Sequence, residues 1–192
     1  IGKVAGTSYN DIFAEVRRHF PQGLEGIGNA RSGDDEPDYQ NFSIFTYGAT
    51  YTEVGVDIDT AEVRIRRMLG VFACGRILNA KTARSQMIGG MIWGVSAALH
   101  QAAHVDMRNG AWVNGDFAEY LIPSHADIPD FDVVLLDDFD GHANHLGVKG
   151  IGELGAGGSA GSVSNAVFNA TGVRVRDFPI TIDKLLPGMP TR

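Results

Sequence analysis

The chain has 192 residues, 44% of them hydrophobic and 20% charged, which supports a packed core and argues against disorder. A formal net charge of −7, with Lys and Arg outnumbered and scattered, argues against a nucleic-acid-binding protein. The single cysteine, Cys74, excludes an internal disulfide and any cysteine-based zinc or cluster site carried by this chain alone.

No apolar stretch reaches the roughly 18 residues of a membrane span, and no signal peptide opens the chain. The sequence starts at Ile1 rather than Met and enters a helical pattern almost at once. It is expected to be a piece of something longer, which leaves cytoplasm and periplasm equally open.

In chain order, Thr7 to Phe20 reads as an amphipathic helix. Thr7 or Ser8 can cap it, Ile12, Phe13, Val16 and Phe20 recur at helical spacing, and Pro21 stops it. Gly23 to Tyr39, rich in Gly, Asp and Asn, reads as a linker, so the chain divides into a helix-and-linker region, 1–41, and a larger domain portion, 42–192. From Phe42 the pattern turns to strand. Phe42, Ile44, Val54, Val56 and Ile58 lead through Asp59-Thr60-Ala61-Glu62 to Val63, Ile65 and Met68, a hairpin with a short polar turn. Arg64–Arg67 and Arg174–Arg176 alternate with apolar residues, as solvated strand faces do.

Phe72 to Asn79 continues as strand and then loop, and a helix is predicted from Arg84 to Gln101. Gly89, Gly90, Gly94, Ser96, Ala97 and Ala98 fill it with small residues. Each helical Gly costs about 1 kcal/mol of propensity, so a close approach by another backbone or a ligand is expected to offset the loss. Asn109-Gly110 marks a hairpin turn between His104–Met107 and Ala111–Val113. Phe131 to Leu136 reads as a strand and Gly147 to Gly161 as a glycine-rich loop. Ser162 to Thr171 is a small-residue helix closed by Gly172. Val173, Val175 and Phe178 suggest a last strand, and Ile182 to Leu186 a short helix. Helices and hairpins alternate without a βαβ rhythm, so the fold class is α+β.

Four local motifs read better as ordinary structure. Gly150-Ile151-Gly152-Glu153-Leu154-Gly155 fits G-x-G-x-x-G, but no strand precedes it and no acid follows about 20 positions on. His100 and His104 sit at i and i+4, yet Gln101 stands where a zinc protease needs Glu, so both read as solvent-facing helix-end residues. Asn169-Ala170-Thr171 matches the glycosylation pattern within an apolar helix, and Cys74 reads as a small buried residue. Glu153 differs: it lies between glycines, behind Lys149 and ahead of a small-residue helix whose N-terminus could face an anion. On local grounds an exposed loop glutamate is the simpler reading, and the residues locate a candidate site without naming its chemistry.

Several segments together resemble the molybdenum-binding subunit of the xanthine dehydrogenase and aldehyde oxidase family. Gly147-Val148-Lys149-Gly150-Ile151-Gly152-Glu153 is similar to its G-x-K-G-x-G-E loop, and Cys74-Gly75-Arg76-Ile77-Leu78-Asn79 to its D-x-G-R-x-I-N-P turn. Gln86 to Gly90 matches its Q-x-x-G-G helix entry. Tyr120 to Pro129 and Thr171 to Thr181 match later stretches in the same order. The departures are Leu154 and Gly155, where many members have two prolines, and Trp93 in place of a usual Gln.

The resemblance implies half of a molybdenum cofactor-binding domain pair, with mixed sheets and packed helices. It also implies a molybdenum hydroxylase that oxidises an aldehyde to a carboxylic acid with oxygen taken from water, nearest to bacterial three-subunit aldehyde oxidoreductases. Purine or N-heterocycle hydroxylation is the alternative within the class, and a non-catalytic assembly module the alternative outside it. Glu153 would be the general base, expected to be buried. Gln86, Lys149, Ile151 and Gly152 would line the cofactor pocket, and no protein ligand to the metal is expected. The implied cofactor is molybdopterin cytosine dinucleotide with molybdenum. Iron–sulfur clusters and FAD would lie on partner subunits, and the upstream half of the same subunit would complete the site, so the isolated piece is expected not to turn over.

Overall fold

The computed structural model describes residues 9–23, 25 and 41–190. Chain contacts divide it into two units, Ile1–Glu36 and Pro37–Arg192. The first holds helix α1, Tyr9–His19, with Asp11 in its first turn and Arg17, Arg18 and His19 in its last, an order that suits the helix dipole. Ile12, Phe13 and Phe20 are exposed, and the predicted caps Thr7 and Ser8 lie outside the described residues.

The second unit is built on strands β1, Tyr47–Val56, and β2, Val63–Ala73, which form an antiparallel hairpin. The hairpin begins later than the alternation at Phe42 and Ile44 suggests; both residues precede β1 in irregular chain. Between the strands, Asp57 Oδ1 accepts the main-chain N–H groups of Asp59 and Thr60, and Ala61 takes a positive φ of 58°. The register slips between Glu53 and Val54, which pair with Arg67 and Ile65 and leave Arg66 as the extra residue of a bulge. That bulge turns Arg66 and Arg67 outward together while Ile65 and Met68 both stay buried. The arginine run is therefore a solvated strand face, with Arg64 on Glu62 and Arg67 on Glu53.

Helix α2 spans Ala80–Leu99, starting four residues before the predicted Arg84. Asn79 is the reason: its extended backbone and its Oδ1, which accepts Thr82 N–H at 3.2 Å, cap the helix. Strands β3, Val105–Asp106, and β4, Ala111–Trp112, form a hairpin around Asn109-Gly110, with Gly110 at φ 75°. Strand β5, Phe131–Leu135, pairs parallel to β2, giving a mixed sheet of order β1-β2-β5. Helix α3 covers Ser159–Thr171, beginning three residues before Ser162 and ending at Gly172 in the left-handed conformation.

The predicted final strand does not form. Val173 to Phe178 is irregular, with Ser164 Oγ donating to the Val175 oxygen and Lys184 Nζ donating to the Asp177 and Pro179 oxygens. Those side chains satisfy the carbonyls that a neighbouring strand would otherwise take. Arg174 lies 3.9 Å over the Phe168 ring instead of on a strand face. Helix α4, Ile182–Leu185, and a 3₁₀ turn at Leu186–Gly188 end the described chain.

Helices α2 and α3 pack together and onto the sheet. Met68 and Phe72 of β2, Met87, Met91 and Val95 of α2, Val163 and Val167 of α3, and Leu185 are buried in one core. The small residues of α2 lie where other backbone comes closest. A Cβ at Gly90 would fall 2.7 Å from the Ala156 nitrogen, and one at Gly94 would strike Ser159. The expected close approach is thus made by the chain's own backbone. No helix among the described residues is long and apolar enough to cross a membrane.

Candidate functional site

The loop between β5 and α3 is fixed at three places. At its start, Arg76 N–H donates to the Gly147 oxygen at 2.6 Å and Lys149 N–H to the Cys74 oxygen at 3.2 Å, which stitches it to the end of β2. Asn144 adds two contacts to Val148, donating to its oxygen and accepting its N–H. Gly75 and Gly147 face each other here, both with positive φ, at 74° and 67°. Any Cβ at Gly75 would collide with the Gly147 oxygen, so this crossing requires glycine.

In its middle, the loop is held from α2. Gln86 Nε2 donates to the Gly152 oxygen at 2.6 Å. At its end, Gly155 lies against the main chain of Met87, where a Cβ would come within 2.9 Å of the Met87 Cα. The close contact accounts for glycine at 155. Ser159 Oγ, fully buried, then donates to the Gly155 oxygen at 2.7 Å and joins the loop to α3.

Glu153 stands between the second and third of these anchors. Its oxygen accepts Ala156 N–H at 3.0 Å and Gly157 N–H at 3.2 Å, so its backbone sits in a tight turn. Its side chain is exposed, as is Gly152 beside it. The expected burial of Glu153 is therefore not supplied by the described residues. The physical reason is that the turn rides on the surface of α2, with the helix beneath it and none of the described chain above.

The other site residues separate by role. Gln86 and Gly152 come together, and Ile151 packs partly buried against the core. Lys149 turns elsewhere: its Nζ lies 3.1 Å from Asp138 Oδ2 and 3.3 Å from Asp140 Oδ2, with its side chain only 6% exposed. Burial alone would lower its pKa, but the two carboxylates outweigh it and hold the ammonium above the ordinary lysine range. Its main chain leads toward Glu153, while its charge is turned to Asp138 and Asp140. Asp138 and Asp140 were not singled out in the sequence, where they stand in a polar, turn-like stretch. Their only sequence signal is charge opposite to Lys149, 11 and 9 positions away, which follows no helical or strand period.

His100 caps the C-terminal end of α2 and is half-buried, not solvent-facing as its place at a helix end suggests. Its Nδ1 is buried without a hydrogen-bond partner among the described residues. Among those residues no cluster of three or more His, Cys, Asp and Glu side chains could hold a metal ion.

Whether the loop suits a bulky cofactor can be judged from its glycines. Gly150 and Gly152 have no positive φ and open space where a Cβ would stand. Neither backbone conformation nor packing among the described residues requires glycine there, so the positions fit a group that approaches the main chain from outside. Gln86, exposed on α2, sits beside that open side.

The family model described as molybdopterin cofactor-binding domain matches residues 4–129, ending before the Glu153 loop. The aldehyde oxidoreductase molybdenum-binding subunit PaoC of Escherichia coli (strain K12) is 54% identical over 145 residues, 76% of this chain and 20% of the relative. The xanthine dehydrogenase molybdenum-binding subunit of Escherichia coli O157:H7 is 32% identical over 139 residues, 72% of this chain and 18% of the relative. The crystal structure of the aldehyde oxidoreductase from Desulfovibrio desulfuricans ATCC 27774 superposes with a TM-score of 0.68 at 29% identity, covering 76% of this chain and 16% of that one. The chain thus spans about a fifth of the length of the curated relatives it matches. It belongs to the molybdopterin cofactor-binding domain family, in the molybdenum-binding subunits of the xanthine dehydrogenase and aldehyde oxidase type.

Proposed function

We propose that this chain contributes the general base, Glu153, to a molybdenum hydroxylase that oxidises an aldehyde to a carboxylic acid with oxygen derived from water. The observation that carries the reading is the presentation of Glu153. It follows directly after Gly152, whose oxygen is held by Gln86, on a loop open to a large group. Identity of 54% with an aldehyde oxidoreductase subunit, against 32% with a xanthine dehydrogenase subunit, favours an aldehyde over a purine.

When bound, the molybdenum cofactor, in the cytosine dinucleotide form, supplies Lewis acidity and a two-electron acceptor. Glu153 takes the proton released as the water-derived oxygen is delivered to the carbonyl carbon, the role of a positioned general base. Gln86 keeps the loop from shifting, and the bare edges of Gly150 and Gly152 let the cofactor come against the main chain. Ile151 fixes the loop from below by packing on the core. The remainder of the molybdenum-binding subunit closes over Glu153 and removes it from water. Iron–sulfur and FAD subunits carry electrons away, completing a heterotrimer that the isolated chain cannot replace.

The test compares the complete assembled enzyme with its Glu153→Gln variant, measuring molybdenum content and benzaldehyde turnover together. A base of this kind contributes about 10²- to 10⁴-fold, so a loss of that size with normal metal content is expected. Unchanged turnover would remove the role. Loss of both metal and activity would make Glu153 structural.

A further inference from the structure

Lys149 is buried where a surface lysine would serve solubility as well. Its Nζ faces Asp138 and Asp140, both beyond the end of β5, and lies 5.8 Å from the ring centroid of Tyr47, the first residue of β1. Ion pairs of a covered ammonium with partly exposed carboxylates are a poor source of stability, because desolvation of the ammonium offsets much of an attraction that water also screens. They are a good source of defined geometry. An ammonium held by two carboxylates on one segment fixes where the main chain must pass.

That main chain is the approach to Glu153. Between Lys149 and Glu153 lie Gly150, Ile151 and Gly152, a pliant stretch with open space at both glycines. Where its end residue stands depends on what holds it on either side, with Ile151 packed on the core between. On the Glu153 side the Gln86 contact holds Gly152, and on the approach side the Lys149 ion cluster holds the chain with the Cys74 contact beneath it. We propose that Lys149, through its part-buried ion cluster with Asp138 and Asp140, is a positioning residue that sets the placement of Glu153. The inference rests on Glu153 acting as the base and names a second residue on which that base depends.

The test is a double-mutant cycle in the complete assembled enzyme: parent, Glu153→Gln, Lys149→Met and the double variant, each measured for molybdenum content, kcat and KM. A misplacement of about 1 Å costs roughly 100-fold, so Lys149→Met should lower kcat about 10- to 100-fold with molybdenum content kept and KM little changed. In the Glu153→Gln background the same substitution should cost nothing more, since the group it positions is gone. Parental kcat in Lys149→Met, or an equal loss in both backgrounds, overturns the positioning role. If Glu153→Gln itself leaves turnover intact, the reading of Glu153 as base has failed and this inference falls with it. Should Lys149→Met not accumulate as a folded enzyme, Asp138→Asn and Asp140→Asn replace it in the cycle. Non-additivity with Glu153→Gln is then expected, and additive losses or unchanged kcat in both variants overturn the proposal.

Discussion

Gln86 Nε2 and the Gly152 oxygen stand 2.6 Å apart, a contact across 66 residues that ties the first turns of α2 to the residue preceding Glu153. Both partners are exposed, so its loss would be made good by water and the net stability cost would be about 1 kcal/mol or less. Its effect on turnover should be larger than its effect on stability. Gln86→Leu removes the donor and keeps the side-chain bulk. We expect kcat in the complete enzyme to fall about tenfold or more, the loss that each ~1.4 kcal/mol of misplacement produces. Thermal stability should stay close to that of the parent. Equal kcat in parent and variant would show that the loop is held well enough by its other anchors.

Three glycines of α2 should respond oppositely to the same substitution. Gly89 has open space at its Cβ position, so Gly89→Ala should stabilise by up to about 1 kcal/mol through helix propensity alone. Gly90 and Gly94 meet the main chain at Gly155 and Ala156 and the start of α3, where nothing can move aside without displacing the Glu153 loop. Gly90→Ala and Gly94→Ala should therefore destabilise, overpacking of about 1–3 kcal/mol outweighing the propensity gain. Hydrogen exchange of the α2 amides in the complete subunit would read both signs. Stabilisation by Gly94→Ala would mean that α2 and α3 sit further apart than described.

Much of this arrangement was legible in the sequence. Asn109-Gly110 specified its hairpin, Gly172 closed α3, and the small residues of α2 announced a close neighbour. The resemblance of Gly147 to Glu153 singled out the loop. Elements that depend on side-chain bonds were placed less well. Asn79 moved the start of α2 four residues forward, because a cap is a single bond that periodicity does not register. Val173 to Phe178 alternates like a strand, but its carbonyls are taken by Ser164 and Lys184, and a strand needs a neighbour as well as a pattern. The site divided in the same way. The motif put Gln86, Ile151, Gly152 and Glu153 forward together, and the fold brings Gln86 onto Gly152 beside Glu153. The inward turn of Lys149 to Asp138 and Asp140 could not be read there, since it pairs residues from one irregular stretch with no periodic relation.

His100 supplies a pH dependence at the far end of α2. Burial lowers its pKa from the ordinary 6.5, partly opposed by the nearby Asp127 carboxylate and the Val95 carbonyl. Its buried Nδ1 makes no hydrogen bond among the described residues. Asp127 is itself held below the usual carboxylate range, chiefly by the Ser124 N–H, so it stays charged throughout the region where histidine titrates. Below pH 6.5 the unfolded chain binds a proton at His100 that the folded chain resists. Stability therefore falls as pH drops from 6.5 through the lower folded pKa, and is unaffected by this group above 6.5. His100→Leu removes the titration and the orphaned nitrogen together. We expect the variant to lose less stability than the parent between pH 7.5 and 5, read as the shift in denaturation midpoint of the complete subunit. Parallel pH profiles for the two proteins would mean that His100 is protonated as easily in the fold as in the unfolded chain.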